Sequence, residues 1–227
     1  MARTLDRAAH ALKREAYTDA ALRLIQTRGY DQMSIQDVLD DLGTSRGAFY
    51  HYFDSKGALL EAAIERMTDL AIDSLQPAVT EPGLPALQKL QRVFAGLARW
   101  KGERATLMRE LLRVWISDEN ALVREKFRRH ATSRLVLLLA PILRQGNEEG
   151  SMSTGPEQPA AAVLLGLILA ANDTACHLFV ARQENKVSFG EVELTLTAYG
   201  RAFERILGLP SGSLPGLEPE TLRFWFG

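Results

Sequence analysis

The sequence predicts an all-α protein, a small three-helix domain at the N-terminus followed by a larger helical domain. Three observations predict it. Apolar residues recur at three- and four-residue spacings through most of the 227 residues, and no stretch alternates as a strand would. Short periodic segments near the N-terminus are punctuated by glycines and by serines placed to cap helices. Beyond residue 85 the periodic segments lengthen, and Ala160 to Ala171 is apolar on every side.

In the first helix Leu12, Ala16, Ala20 and Leu24 recur every four residues, with Tyr17, Ala21 and Ile25 beside them. They form one stripe about four turns long, and Gly29 ends it. Ser34 is placed to cap the second helix, with Asp37 as a shorter relative of the capping-box glutamate. Ile35, Val38, Leu39 and Leu42 follow on one face, and Gly43 stops the helix. Thr44 and Ser45 make a turn, and Ser45 caps a third helix running from about Arg46 to Phe53. Phe49 and Phe53 share a face with Tyr52 at its flank, while Gly47, Tyr50 and His51 point broadly the other way. Ser55 opens a fourth helix carrying Leu59, Leu60, Ala63, Ile64, Met67, Leu70 and Ala71, closed at Gln76-Pro77 because proline disfavours helix in the residue before it. Five long helices follow at about 85–101, 103–116, 119–145, 157–183 and 189–207, with Pro141 kinking or shortening the third of them. Residues 146–157 are a break, and Leu209 to Gly216 is a linker to a short tail ending in Phe224, Trp225 and Phe226. The expected domains are therefore 1–55, 56–208 and a linker with tail, 209–227.

Composition bounds the function. The chain is 46% hydrophobic. Its most apolar run is about two-thirds of the roughly 20 residues a bilayer requires, and MARTLDRAAHALKRE carries no hydrophobic signal segment. A soluble, cytoplasmic protein with no membrane partner is expected. Cys176 is the only cysteine, which excludes an intrachain disulfide and a cysteine-cluster metal site. The net charge is −1. Arg3, Arg7, Lys13 and Arg14 against Asp6 give residues 1–14 a balance of +3, but residues 1–60 carry eight basic and eight acidic side chains. A case for nucleic acid must rest on motif rather than bulk charge.

The motif is present. Two short helices joined by a glycine-containing turn, with a third helix in front, make a helix-turn-helix whose second helix enters the major groove. Such a helix needs one aromatic or aliphatic face that locks it to its scaffold, and another carrying donors and small residues that fit a groove about 12 Å wide. SRGAFYHYFDSKGALL supplies both. The longer run MSIQDVLDDLGTSRGAFYHYFDSKGALL, Met33 to Leu60, resembles the signature of TetR-family (TetR/AcrR-like) bacterial transcription regulators. The likeness covers roughly residues 12–62: a capped helix, a G-x-S turn, a G-x-F/L-Y-x-H/Y-F recognition helix, and S-K-x-x-L opening the next helix. Leu39 stands where the family often has alanine, and Thr44 where it has valine. Both are packing positions.

The resemblance implies an N-terminal DNA-binding domain and a larger ligand-binding and dimerisation domain. Arg46, Gly47 and Ala48 would face base edges, with Arg46 able to grip guanine by two bonds. Tyr50 and His51 would meet phosphate or base edges, and Gln36 the neighbouring backbone or a base. Lys56, at a helix N-terminus, would bind phosphate. Asp40 and Asp41 imply that their end of the second helix points away from DNA, or that affinity is modest. The basic N-terminus would reach the adjacent minor groove or fray.

The family dimerises through its last helices, and the sequence has residues to do so: Leu165 and Leu169 in the apolar helix, and Val192, Leu196, Tyr199 and Phe203 in the next. A monomer core is the alternative use of the same residues. Phe94, Met108, Leu112, Trp115, Phe127, His130, Asn172 and Cys176 are candidates to line a pocket for a small hydrophobic or aromatic effector, or are simply core. Asp173 and His177, four apart, are a metal pair or a hydrogen-bonded pair with no third ligand in view. No H-E-x-x-H, paired E-x-x-H, phosphate loop or nucleophile motif occurs, so neither enzymatic activity nor a cofactor is expected. The function this implies is a homodimeric repressor released from a near-palindromic operator in double-stranded DNA by that effector. An activator of the same fold and a small-molecule binder without DNA function are the alternatives. The tail's aromatics dock on the body or on a partner.

Overall fold

The computed structural model describes the backbone of residues 2–216 and 218–227, and side chains from residue 8 onward with the exception of residue 217. Among the described residues there are ten α-helices and no strand: α1 (Ala2–Arg28), α2 (Ile35–Leu42), α3 (Arg46–Tyr50), α4 (Lys56–Thr80), α5 (Ala86–Glu103), α6 (Ala105–Ile116), α7 (Ala121–Glu148), α8 (Glu157–Gln183), α9 (Phe189–Leu207) and α10 (Pro219–Phe226). A 3-10 turn, Asp118–Asn120, precedes α7.

The chain packs as two compact units, Met1–Ala71 with Lys101–His130, and Ile72–Trp100 with Ala131–Gly227. These units differ from the division expected at residue 55, and the packing explains why. Leu59, Leu60, Ala63 and Ile64 of α4, with Leu107, Leu111 and Val114 of α6, share one core with Ala20, Ala21 and Ile25 of α1, Val38 and Leu39 of α2, and Phe49 of α3. Burying each of the larger side chains contributes about 1.5–3 kcal/mol. The Arg66 guanidinium donates to Asp19 at 2.7 Å, fastening α4 to α1.

α1 starts ten residues before the predicted stripe. Leu12 is 67% exposed and Ala16 is exposed too, so the buried seam is Tyr17, Ala20, Ala21, Leu24 and Ile25. Residues 8–16 before it are helical without being buried, which Ala, Leu, Lys, Arg and Glu favour by intrinsic propensity. α3 is shorter than expected: it ends at Tyr50, and a turn with Tyr52 and Phe53 amides donating to the Phe49 carbonyl carries the chain to α4.

The second unit has its own core, formed by Ile72 and Leu75 of α4, Leu90 and Val93 of α5, Leu138, Leu139, Ile142 and Leu143 of α7, Leu164 of α8 and Leu207 of α9. α4 runs on through Pro77 to Thr80 rather than ending before it. Ala78 and Val79 reward the extra turn by packing on this core, and the Thr80 hydroxyl donates to the Gln76 carbonyl. α7 likewise passes through the exposed Pro141. The Glu149 carboxylate accepts from the Ala86 amide at 2.9 Å, capping α5, and this bond with Gln145 holds its pKa below the usual carboxylate value.

α9 opens with a full capping box, Ser188 with Glu191, and closes on Gly208 in the left-handed conformation. It packs along α8, and α10 packs on both. α8 is long and apolar enough to cross a membrane by length and composition, more than the shorter apolar run predicted; here it is paired with α9 and α10. Of the tail aromatics Phe226 is buried and meets the Phe179 ring at 6.4 Å, while Phe224 stays about half exposed.

Candidate nucleic-acid interface

The helix-turn-helix is built from local signals that agree. Ser34 accepts from the Asp37 amide at 3.1 Å, and the Asp37 carboxylate accepts from the Ser34 amide at 2.8 Å, so the capping box is complete. The Ser34 bonds, with help from Arg28, hold the Asp37 carboxyl below its ordinary pKa. At the other end of α2, Gly43 takes φ 59°, a left-handed turn that a side chain would strain. Ser45 then accepts from the Ala48 amide and starts α3.

An aromatic cluster aims α3. Phe49 is fully buried and Phe53 nearly so. Tyr17 meets Phe49, Tyr52 and Phe53 with ring separations of 5.7, 5.5 and 6.0 Å. Its hydroxyl shares a hydrogen bond with the Thr44 hydroxyl at 3.3 Å, tying α1 to the turn itself. With that face locked, Arg46, Gly47, Tyr50 and His51 are exposed and Ala48 is half-buried. Five of the predicted contact residues thus lie on one short helix and its turn. Gly47 is informative. Its φ is not positive, and a Cβ there would meet nothing within 4 Å. Neither the backbone nor the packing of the chain requires glycine.

Two predicted contacts are engaged elsewhere. Gln36 is exposed, and its amide nitrogen donates to Asp40 at 2.8 Å. Lys56 is half-buried: its ammonium lies 4.2 Å from the Tyr30 ring centre and donates to the Asp31 carbonyl at 3.4 Å. Burial pushes its pKa down while Asp31 pulls the other way. The same burial, with Asp31 and Glu119, raises the Tyr30 phenol. Ser55, not Lys56, satisfies the α4 start by accepting from the Ala58 amide.

Sequence reasoning missed how the acidic residues of α2 are handled. Arg28 pairs with Asp37 at 2.5 Å and Arg23 with Asp41 at 2.7 Å, so α1 neutralises the edge that would oppose phosphate. It also missed His10. The His10 ring stacks on Tyr52 at 4.6 Å and meets His51 edge-on at 5.8 Å. The signal available was the helix-favouring composition of residues 8–16. Arg3 and Arg7 of the basic N-terminus have side chains outside the described residues.

The effector candidates divide between the units. In the first, Met108 and Phe127 pack on the core, Trp115 meets Phe127 edge-on at 4.8 Å, His130 bonds Asp69 at 2.9 Å, and Leu112 is half-buried. In the second, Phe94 packs against Phe203 at 5.9 Å, and the Asn172 amide lies 3.9 Å from the buried Cys176 sulfur. His177 bonds the backbone carbonyl of Asp173 at 2.8 Å.

The predicted dimer residues need correction. Leu165, Val192 and Leu196 are buried inside the single chain, and Leu169, Tyr199 and Phe203 are half-buried. An apolar helix does not reveal from sequence which side faces inward. The exposed side carries Val163, Gly166 and Ala170 on α8, and Leu194 and Ala198 on α9.

A sequence model described as "Bacterial regulatory proteins, tetR family" matches residues 18–63, the end of α1 through the first turns of α4. This segment, the helix-turn-helix with its flanking helices, is thus similar to the DNA-binding domain of that family. The TetR-type domain is 38% identical over 64 residues to an uncharacterised HTH-type transcriptional regulator, YvdT, of Bacillus subtilis, a match spanning 28% of this chain and 33% of that protein. The fold likeness extends further. The fatty acid degradation regulator FadR of Bacillus halodurans superposes with a TM-score of 0.57 at 20% identity, covering 86% of this chain and 94% of that one. E. coli NemR in its reduced form gives 0.55 at 22% identity, covering 87% and 98%. The all-helical architecture, an N-terminal helix-turn-helix domain followed by a larger helical domain, is therefore a fold shared with these structures.

Proposed function

We propose that the protein is a sequence-specific DNA-binding transcription regulator that acts as a cytoplasmic homodimer without catalytic activity. The observation that carries this reading is α3. One face is locked by Phe49 and Phe53, and the other presents Arg46, Gly47, Tyr50 and His51 to solvent. A glycine that the fold does not require costs helix stability of about 1 kcal/mol, and close approach to a DNA backbone supplies the reason to keep it. Lys56 completes the interface by leaving Tyr30 for a phosphate.

In this reading the chain represses transcription from a near-palindromic operator. A small hydrophobic or aromatic effector held by the larger helical domain releases it by binding the released conformation better than the DNA-bound one. α4 supports the coupling, since it is one uninterrupted helix from Lys56 to Thr80. The exposed faces of α8 and α9 are the dimer contact.

The test is selection of binding sites from random-sequence DNA by the purified protein. A two-fold symmetric site should be enriched, with affinity falling steeply as salt rises. Lys56→Ala with Tyr50→Ala should weaken that site at least tenfold and lower the salt slope by about one for each phosphate no longer neutralised. A folded protein that enriches no sequence at low salt would overturn the reading.

A further inference from the structure

We propose that His10 and His51 form a paired-imidazole clamp for one DNA phosphate, making the N-terminal extension of α1 a second DNA-contact element whose grip depends on protonation. The proposal rests on the DNA-binding reading above. Residues 8–16 of α1 are all exposed, so burial does not account for where this segment lies. It is laid against the far end of the recognition helix, with the His10 ring on Tyr52 and 5.8 Å from that of His51, and with the Arg14 guanidinium 5.2 Å from the Phe53 ring centre. Both imidazoles are exposed, and at that spacing one phosphate group can accept from each. A phosphate held by His51 would therefore lie beside the His10 ring.

The surroundings set the sign. On α1 the neighbouring charges are Lys13, Arg14 and Glu15, and Glu15 is drawn away by Arg66 at 3.2 Å. Asp6 and Arg7 precede them, with side chains outside the described residues. From α3 and its turn come Arg46, Tyr50, Tyr52 and Asp54; from α4, Lys56, which lies over Tyr30; and on α2, Asp41 is paired with Arg23 and Asp40 takes the Gln36 amide. Imidazole changes charge in the physiological pH range. A phosphate favours the protonated ring and raises its pKa in the complex. Affinity should then rise as pH falls, by up to about tenfold per unit for each ring in the window between its free and bound pKa.

The experiment measures affinity for the selected operator from pH 6 to 8 at several salt concentrations. Wild type, His10→Gln, His51→Gln and His10→Arg are compared, with thermal melts as a control. Wild type should bind tighter at pH 6, with a salt slope steeper than at pH 8 by up to about 0.9, the value for one phosphate neutralised. His10→Gln should lose part of both effects at unchanged sequence preference and melting temperature. His10→Arg should keep at pH 8 the share of the pH 6 affinity that His10 contributes, leaving only the dependence due to His51. If His10→Gln binds the operator with wild-type pH and salt dependence, the clamp is wrong and the regulator reading stands. If wild type enriches no operator, both fall.

Discussion

At the scale of single residues, Gly47 separates folding from function. A Cβ at position 47 has room and no strained backbone, so Gly47→Ala should stabilise the free protein by about 0.5–1 kcal/mol. The same substitution should weaken operator binding, and a variant that melts higher and binds as tightly would show that no DNA backbone comes near. Phe49 is the opposite case. It is fully buried, and Phe49→Ala should cost about 3–5 kcal/mol, read as loss of the thermal transition of the first unit. Asp37 gives a pH signature. Its pKa is lowered in the folded state by the Ser34 bonds, so its stabilisation is present above the ordinary value of 3.8 and disappears as pH falls through the folded value. Acid titration of Asp37→Asn, followed by circular dichroism, should show a shallower acid limb than wild type. The Tyr17–Thr44 bond lay beyond sequence reading. Two polar side chains far apart in the chain carry no mark that they will meet, even though Thr44 stood out as a departure from the family's valine.

At the scale of elements, caps and stripes were readable and inward faces were not. Ser34 with Asp37, Gly43, and Ser45 marked α2 and α3 because each satisfies a backbone group within a few residues of itself. Residues 8–16 of α1 carry no buried stripe, so periodicity placed its start too late. Pro77 read as a stop because the local rule is steric, but the packing of Ala78 and Val79 outweighs one missing bond near a helix end. α8 and α9 show the limit most clearly. Apolar on more than one side, they gave no inward direction, and Leu165, Val192 and Leu196 turned out to be the seam within the chain. The exposed side of the pair predicts the oligomer. Leu194 is 71% exposed and Val163 59%, so if the proposed dimer forms on this face Leu194→Glu should shift sedimentation toward monomer while the circular dichroism stays that of a folded helical protein, with any loss of melting temperature depending on protein concentration. Leu165→Ala should instead cost about 2–5 kcal/mol of stability.

At the scale of the whole molecule, the helix-turn-helix was legible because it is short and local, while the grouping of the effector candidates was not. Met108, Trp115 and His130 belong to one unit, and Phe94, Asn172 and Cys176 to the other. Aromatic and methionine residues at helical spacing look alike whether they close a core or line a cavity. The unit boundaries were hidden for a related reason: α6 joins the N-terminal helices through Leu107, Leu111 and Val114, a contact between segments far apart in sequence. Cys176 has a practical consequence here. It is the sole thiol in the sequence and is buried on α8, so a thiol-reactive dye reports one event, the exposure of that helix. Where reclosing outruns the dye, the ratio of labelling rates in native and urea-unfolded protein is the opening equilibrium constant of the second unit. The protein thus carries its own clock for local unfolding, and an effector that tightens this unit would be found by slowing it, before its chemistry or the operator is known.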